Sequence, residues 1–168
     1  LANIQSTLLP KNFPPFNEDD TFSLYATVEP VNDSAGDFYD FYMVDNDHMA
    51  ITIGAVSGSG IRTSLFMVEA KTMLKNNAIT GLTPSEILTL TNNQLNADNE
   101  DNIVVTVFFG ILEISTGKFV YANSGHNTPF LYRCGNAFDY LSMSKSMALG
   151  VVKDVTYKQR EVFLEVGD

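Results

Sequence analysis

The chain has 168 residues, 45% of them hydrophobic and 18% charged, which is the profile of one folded domain with a single sizeable core and not of a disordered tail. A formal charge of −10 argues against nucleic acid or an anionic membrane surface as partner, because like charge repels both. No apolar run reaches the ~18 residues needed to cross a bilayer, and the opening residues lack the basic and apolar segments of a secretory signal.

The single cysteine, Cys134, excludes an internal disulfide framework and any cysteine-based zinc site. It reads as a small buried hydrophobe in a strand, and a reducing cytoplasmic setting suits it. The acidity fits either plain solubility or a carboxylate cluster that holds metal ions; charge alone does not separate the two.

In chain order, residues 1–16 read as the end of a linker helix (Ile4, Leu8, Leu9) followed by a connector stiffened by Pro10, Pro14 and Pro15. Such a beginning suggests a domain excised from a longer protein. From Phe22 the period becomes two, with Phe22, Leu24, Ala26 and Val28 alternating as in a half-buried strand. Phe38–Val44 and Met49–Ile53 read as a hairpin around the turn Asp45–His48, which puts His48 at the surface. Gly54–Gly60 reads as a Gly/Ser loop. A helix follows, with Ile61, Ser64, Leu65, Val68, Met73 and Leu74 as its apolar stripe.

Thr83-Pro84-Ser85-Glu86 opens a second helix, with Thr83 as N-cap, Pro84 at the first helical position and Glu86 completing a capping box. Beyond the polar stretch 96–102 the chain is β-rich. Ile103–Ile114 is a long strand, the turn 115–118 leads to a partner over 119–123, and shorter strands are expected over 129–133, 137–141 and 157–164. A hairpin, a helix pair and further hairpins predict an α+β fold, a layered α-β-β-α sandwich of two antiparallel sheets flanked by helices.

Two constellations carry chemistry: Ala35-Gly36-Asp37-Phe38-Tyr39-Asp40-Phe41 followed by Gly54-Ala55-Val56-Ser57-Gly58-Ser59-Gly60-Ile61, and Tyr121-Ala122-Asn123-Ser124-Gly125-His126-Asn127-Thr128-Pro129. They resemble bacterial metal-dependent serine/threonine phosphatase domains of the SpoIIE/RsbU kind, relatives of the protein phosphatase 2C fold. That family reads G-G-D-F-Y-D-F, then G-D-V-S-G-[HK]-G-[IV]-P-A, then Y-A-N-A-G-H-N-P-P. Ser64-Leu65-Phe66-Met67, Val105–Gly110, Ala148-Leu149-Gly150 and Gly167-Asp168 follow in the family's order.

The resemblance implies hydrolysis of phosphoserine or phosphothreonine by water held between two Mn²⁺ or Mg²⁺ ions that share a bridging aspartate. Asp37 matches the aspartate that closes the metal site, and Val56 the residue whose backbone carbonyl joins one ion. Ala55 falls on the bridging aspartate, and a methyl group offers an ion nothing. Asp40 matches a further family aspartate, read as structural.

Gly58, Ser59, Gly60, Arg62, His126 and Asn127 form the expected substrate-facing set, with Gly58 and Gly60 allowing a sharp turn at positive φ. Ser59 replaces the family's His or Lys and Arg62 its Pro. Arg62 reads as a phosphate contact or as a solvated cation, and His126 as a chemical group or as a loop-fixing hydrogen-bonder. By the same resemblance the domain is incomplete beyond Asp168, where the family continues to two more aspartates.

Other motifs fail on their residues. No Lys-Ser/Thr follows Gly60, position 63 breaks G-x-G-x-x-G, and Ala55 breaks the G-x-S-x-G elbow that a Ser57/His126 hydrolase would need. The resemblance implies a phosphatase domain acting on a phosphorylated bacterial signalling protein such as an anti-sigma-factor antagonist, inactive or impaired as it stands, or a pseudophosphatase that binds its partner without hydrolysis; a purely structural interaction module is the third reading. The resemblance also implies an upstream sensor or receiver domain in the same polypeptide.

Overall fold

The structure, a computed structural model, describes residues 9–10, 21–29, 36–135 and 138–168. Strand β1 (Asp37–Met43) turns through the acidic stretch after Val44 into β2 (His48–Val56). Asp45 closes this turn by accepting the backbone N–H groups of Asp47 and His48, each at 2.8 Å. Helices α1 (Ile61–Ala78) and α2 (Pro84–Leu95) follow, then β3 (Val105–Glu113) and β4 (Lys118–Ser124). A short ribbon, β5 (Phe130–Tyr132) with β6 (Phe138–Tyr140), precedes β7 (Gln159–Phe163).

The main sheet runs β1-β2-β3-β4-β7, antiparallel throughout, and β5 and β6 form a second, two-stranded sheet. Because side chains alternate along a strand, the register sorts the main sheet into two faces. Phe38, Ala50, Val56, Val105, Val107, Phe109 and Ala122 meet Phe66, Met67, Leu74, Ile87 and Leu88 of the helices in the principal core. Phe108 and Tyr121 face the other way and pack with Leu141, Leu131 and Phe119 in a smaller core under the ribbon. These are the helix, sheet and sheet layers of the expected α+β sandwich.

The capping box of α2 is present as read. The Thr83 side chain accepts from the Glu86 N–H, and a Glu86 carboxylate oxygen accepts the Thr83 N–H at 2.8 Å. Of the stripe read for α1, Ser64 and Leu74 are buried and Val68 and Met73 pack against the core, but Ile61 and Leu65 do not. The helix's buried residues are Thr63, Ser64, Phe66, Met67, Ala70, Leu74, Asn77 and Ala78, whereas Ile61 and Leu65 are 61% and 63% exposed. The stripe that packs is the one meeting both the sheet and α2, and apolarity alone does not tell it from Ile61 and Leu65, one turn apart on the outer side.

Other boundaries move as well. Gly54, Ala55 and Val56 belong to β2, so the loop is only 57–60; pairing with β3 as far as Val56↔Val105 extends the strand. Phe22, Leu24, Ala26 and Val28 are half-buried between exposed neighbours as expected, yet neither sheet includes this run among the described residues. Alternation reports one buried face, not a hydrogen-bonding partner.

His48 begins β2 half-buried, its Nδ1 2.9 Å from Asp45 and its Nε2 3.7 Å from Glu113. Cys134 is exposed and not buried, because β5 ends at Tyr132 and Cys134 falls in the turn beyond it. There the Cys134 N–H donates to Asp168 at 3.1 Å, and Asp168 also accepts from Glu165 N–H and pairs with Arg133, so it serves the turn as read. Of the linker segment 1–16, all but residues 9 and 10 lies outside the described residues. Leu9 is buried in the principal core, and the Pro10 carbonyl accepts the Tyr39 hydroxyl at 2.9 Å.

Candidate active site

Three neighbouring strands present one row across the sheet. Asp37 on β1 stands opposite Ala55 on β2, which stands opposite Thr106 on β3. All three lie on the face away from the helices. Asp40, three residues further along β1, lies on the helix face, where it is only 6% exposed. It accepts the Phe41 N–H at 3.0 Å and sits 3.5 Å from the Lys71 ammonium. Burial pushes its carboxyl up, with Lys71 and Lys75 partly opposing. The two aspartates of the motif therefore do not share a site.

His126 reaches the row from the turn after β4. Gly125 bridges to Val107, which sets the next residue beside Thr106. The ring Nδ1 lies 3.0 Å from the Thr106 hydroxyl. Asn123 clamps the same turn from both sides, its amide donating to the His126 carbonyl at 2.8 Å and its oxygen accepting the His126 N–H at 3.1 Å. Burial holds the imidazole below the usual histidine value, and the nearby Asp37 charge partly offsets this. Thr106 and Asn123 were missed as site residues. Asn123 stands inside a quoted motif, but the role of Thr106 depends on the β2–β3 pairing, which no local pattern encodes.

The loop after β2 is anchored beneath this row. Ser57 N–H donates to the Val104 carbonyl at 2.8 Å, and the Val104 N–H donates to the Ser57 hydroxyl at 2.9 Å. Gly58 and Gly60 take φ of 96° and 86°, the left-handed conformations anticipated for them. A side chain at Gly36 would place its Cβ 2.5 Å from the Val56 carbonyl oxygen, so only glycine allows β1 to start this close to the end of β2. Ser59 is exposed, and Arg62 is exposed and ion-paired to Asp101. Asn127 is exposed beyond the clamped turn. The structure thus brings together Asp37, Ala55 and His126, and leaves Arg62 engaged elsewhere.

A sheet with this helix layer and this cleft defines a protein phosphatase 2C-type domain. The chain belongs to the family of Stage II sporulation protein E (SpoIIE), whose family model matches residues 45–168. It is 30% identical over 167 residues to phosphoserine phosphatase RsbU of Bacillus subtilis (strain 168), covering 99% of this chain and 49% of that protein, so it spans about half the relative's length. The structure of the PP2C phosphatase domain of SpoIIE from Bacillus subtilis, with a fragment of its regulatory domain, superimposes with a TM-score of 0.69 at 18% identity, covering 80% of this chain and 39% of that one. RsbX, solved in complex with magnesium, gives a TM-score of 0.62 at 18% identity over 77% of this chain and 61% of its own. No helix among the described residues is long and apolar enough to cross a membrane.

The residues present do not fit a two-ion centre. Asp37 is the one carboxylate in the row, the Ala55 methyl has no lone pair, and no group of three His, Cys, Asp or Glu side chains able to hold a metal occurs among the described residues. The Val56 carbonyl adds at most one neutral oxygen, packed against Gly36.

Proposed function

We propose that this chain is the output domain of a cytoplasmic bacterial signalling protein, that it engages a phosphoserine- or phosphothreonine-bearing protein partner, and that its hydrolytic activity is impaired. The observation that carries this is the row Asp37–Ala55–Thr106, in which a methyl group occupies the centre. The likeness to a phosphoserine phosphatase supports the substrate class. An anti-sigma-factor antagonist is the partner type this reading favours, with a sensor or receiver domain upstream and Mn²⁺ or Mg²⁺ as the ions a restored site would take. Asp37 and Val56 are the ligands it keeps; Gly58, Ser59, Gly60, His126 and Asn127 line the approach.

Without a shared anionic ligand, neutralising a phosphate dianion and making a nucleophile near neutral pH fall to residues that do neither well. Asp37 repels the phosphate, and His126 can hold or pass one proton but cannot screen two charges. A second reading is binding without hydrolysis. It is favoured by the Arg62–Asp101 ion pair, which engages the cation that follows the loop in sequence.

Turnover of a phosphoserine peptide with added Mn²⁺, compared between the wild type and Ala55→Asp, separates the two. Impaired catalysis predicts a wild type near background and a gain in the variant. Pure binding predicts background in both. Robust turnover by the wild type would contradict both readings.

A further inference from the structure

Beside His126 lies a cavity of about 540 Å³ that the Asp37–Ala55–Thr106 row does not use. One wall is the clamped turn, with His126 and Thr128. The other is the irregular segment after β6, with Leu141, Ser144 and Lys145. That segment is pinned in place at three points. The Tyr121 hydroxyl donates to the Ser142 carbonyl at 2.8 Å, Arg160 Nε donates to the Ser144 hydroxyl at 3.3 Å, and the Ser146 hydroxyl donates to the Asn123 carbonyl. Lys145 is thereby held at the cavity although no helix or strand carries it.

The charge balance here opposes that of the molecule. In a chain of formal charge −10, the cavity lining contains no Asp or Glu and one lysine. Lys145 enters no ion pair among the described residues, whereas Arg62 is paired to Asp101. A free ammonium, the Thr128 and Ser144 hydroxyls and an imidazole around an opening of this size make a donor set suited to a phosphate dianion on a side chain.

We propose that this cavity is a phosphate-recognising subsite for the phosphoserine or phosphothreonine side chain of a protein partner, with Lys145 as its charged, specificity-determining residue. The proposal rests on the reading that the domain engages a phosphorylated protein. It does not depend on a metal or on catalysis.

Fluorescence anisotropy with a degenerate pool of phosphoserine peptides and its unphosphorylated counterpart tests it, using the wild type, Lys145→Gln and Lys145→Arg. The subsite predicts that the wild type prefers the phosphorylated pool. Lys145→Gln weakens that binding about tenfold or more, the size of a lost charge-assisted hydrogen bond, and leaves the unphosphorylated pool unchanged. Lys145→Arg retains the preference. A wild-type preference that survives Lys145→Gln overturns the subsite and leaves the proposed function standing. A wild type without any preference overturns both.

Discussion

Asp37 and Asp40 stand three residues apart on one strand and live under opposite conditions. Asp40 faces α1 amid packed side chains, with Lys71 at 3.5 Å and the Lys75 ammonium 4.7 Å from the centre of the neighbouring Tyr42 ring. Asp37 opens onto the cleft beside Ala55 and near His126. One short motif thus supplies both faces of the sheet. The helix face carries the principal core, and the cleft face combines a smaller core around Phe108 and Tyr121 with the row at Asp37. Substitutions in the principal core and in the row should separate accordingly, stability in one and ligand behaviour in the other.

The largest stability effect belongs to the helix face. Leu74→Ala, at a fully buried position between α1 and the sheet, is expected to cost about 2–5 kcal/mol in urea unfolding. Leu65→Ala, nine residues earlier on the exposed side of the same helix, should stay within about 0.5 kcal/mol. Equal costs would break the assignment of the helix faces.

Two smaller changes probe polar groups on each face. Thr52 is buried on the helix face opposite Asp40, and its hydroxyl has no hydrogen-bond partner among the described residues. Thr52→Val removes that unmet donor at nearly constant volume and is expected to stabilise by about 1 kcal/mol. Thr106→Val on the cleft face removes a made bond to His126 and should cost about 1 kcal/mol. The opposite signs are the checkable content.

The two faces also differ in how stability follows pH. Folded Asp40 holds its proton more tightly than the unfolded chain does, because burial raises its pKa. Its contribution is full below the unfolded carboxyl range and is lost as pH rises through the raised value, so Asp40→Asn should flatten that decline in urea midpoints. His126 works the other way. Its folded value is lowered, so its contribution is present above the unfolded histidine range and is lost as pH falls through the lowered value. The smallest expected effect is a further drop in the His126 pKa in Asp37→Asn, read by NMR titration, because the carboxylate that partly offsets burial is gone.

Legibility from sequence followed the range of the interactions. The Thr83–Glu86 box was readable because all its partners lie within three residues. The glycine turn at 58–60 was readable because positive φ is a property of single residues. Ala55 was readable as an anomaly because the residues on both sides match a family pattern. The outward placement of Ile61 and Leu65 on α1, the strand placement of Gly54–Val56 and the Thr106–His126 contact were not, since each depends on pairing between distant segments. Lys145 was overlooked for the same reason. Its meaning comes from three hydrogen bonds that hold an irregular segment against β4 and β7.

The central claim is that Ala55, between Asp37 and Thr106, deprives this cleft of a carboxylate that metal ions would share. Calorimetric titration of Mn²⁺ into the wild type and into Ala55→Asp tests it most directly. The account predicts weak or undetectable binding by the wild type and a gain on the order of 100-fold or more in the variant, where Asp37 acquires a carboxylate neighbour across the β1–β2 pair. Tight binding by the wild type, or no gain in the variant, would contradict it.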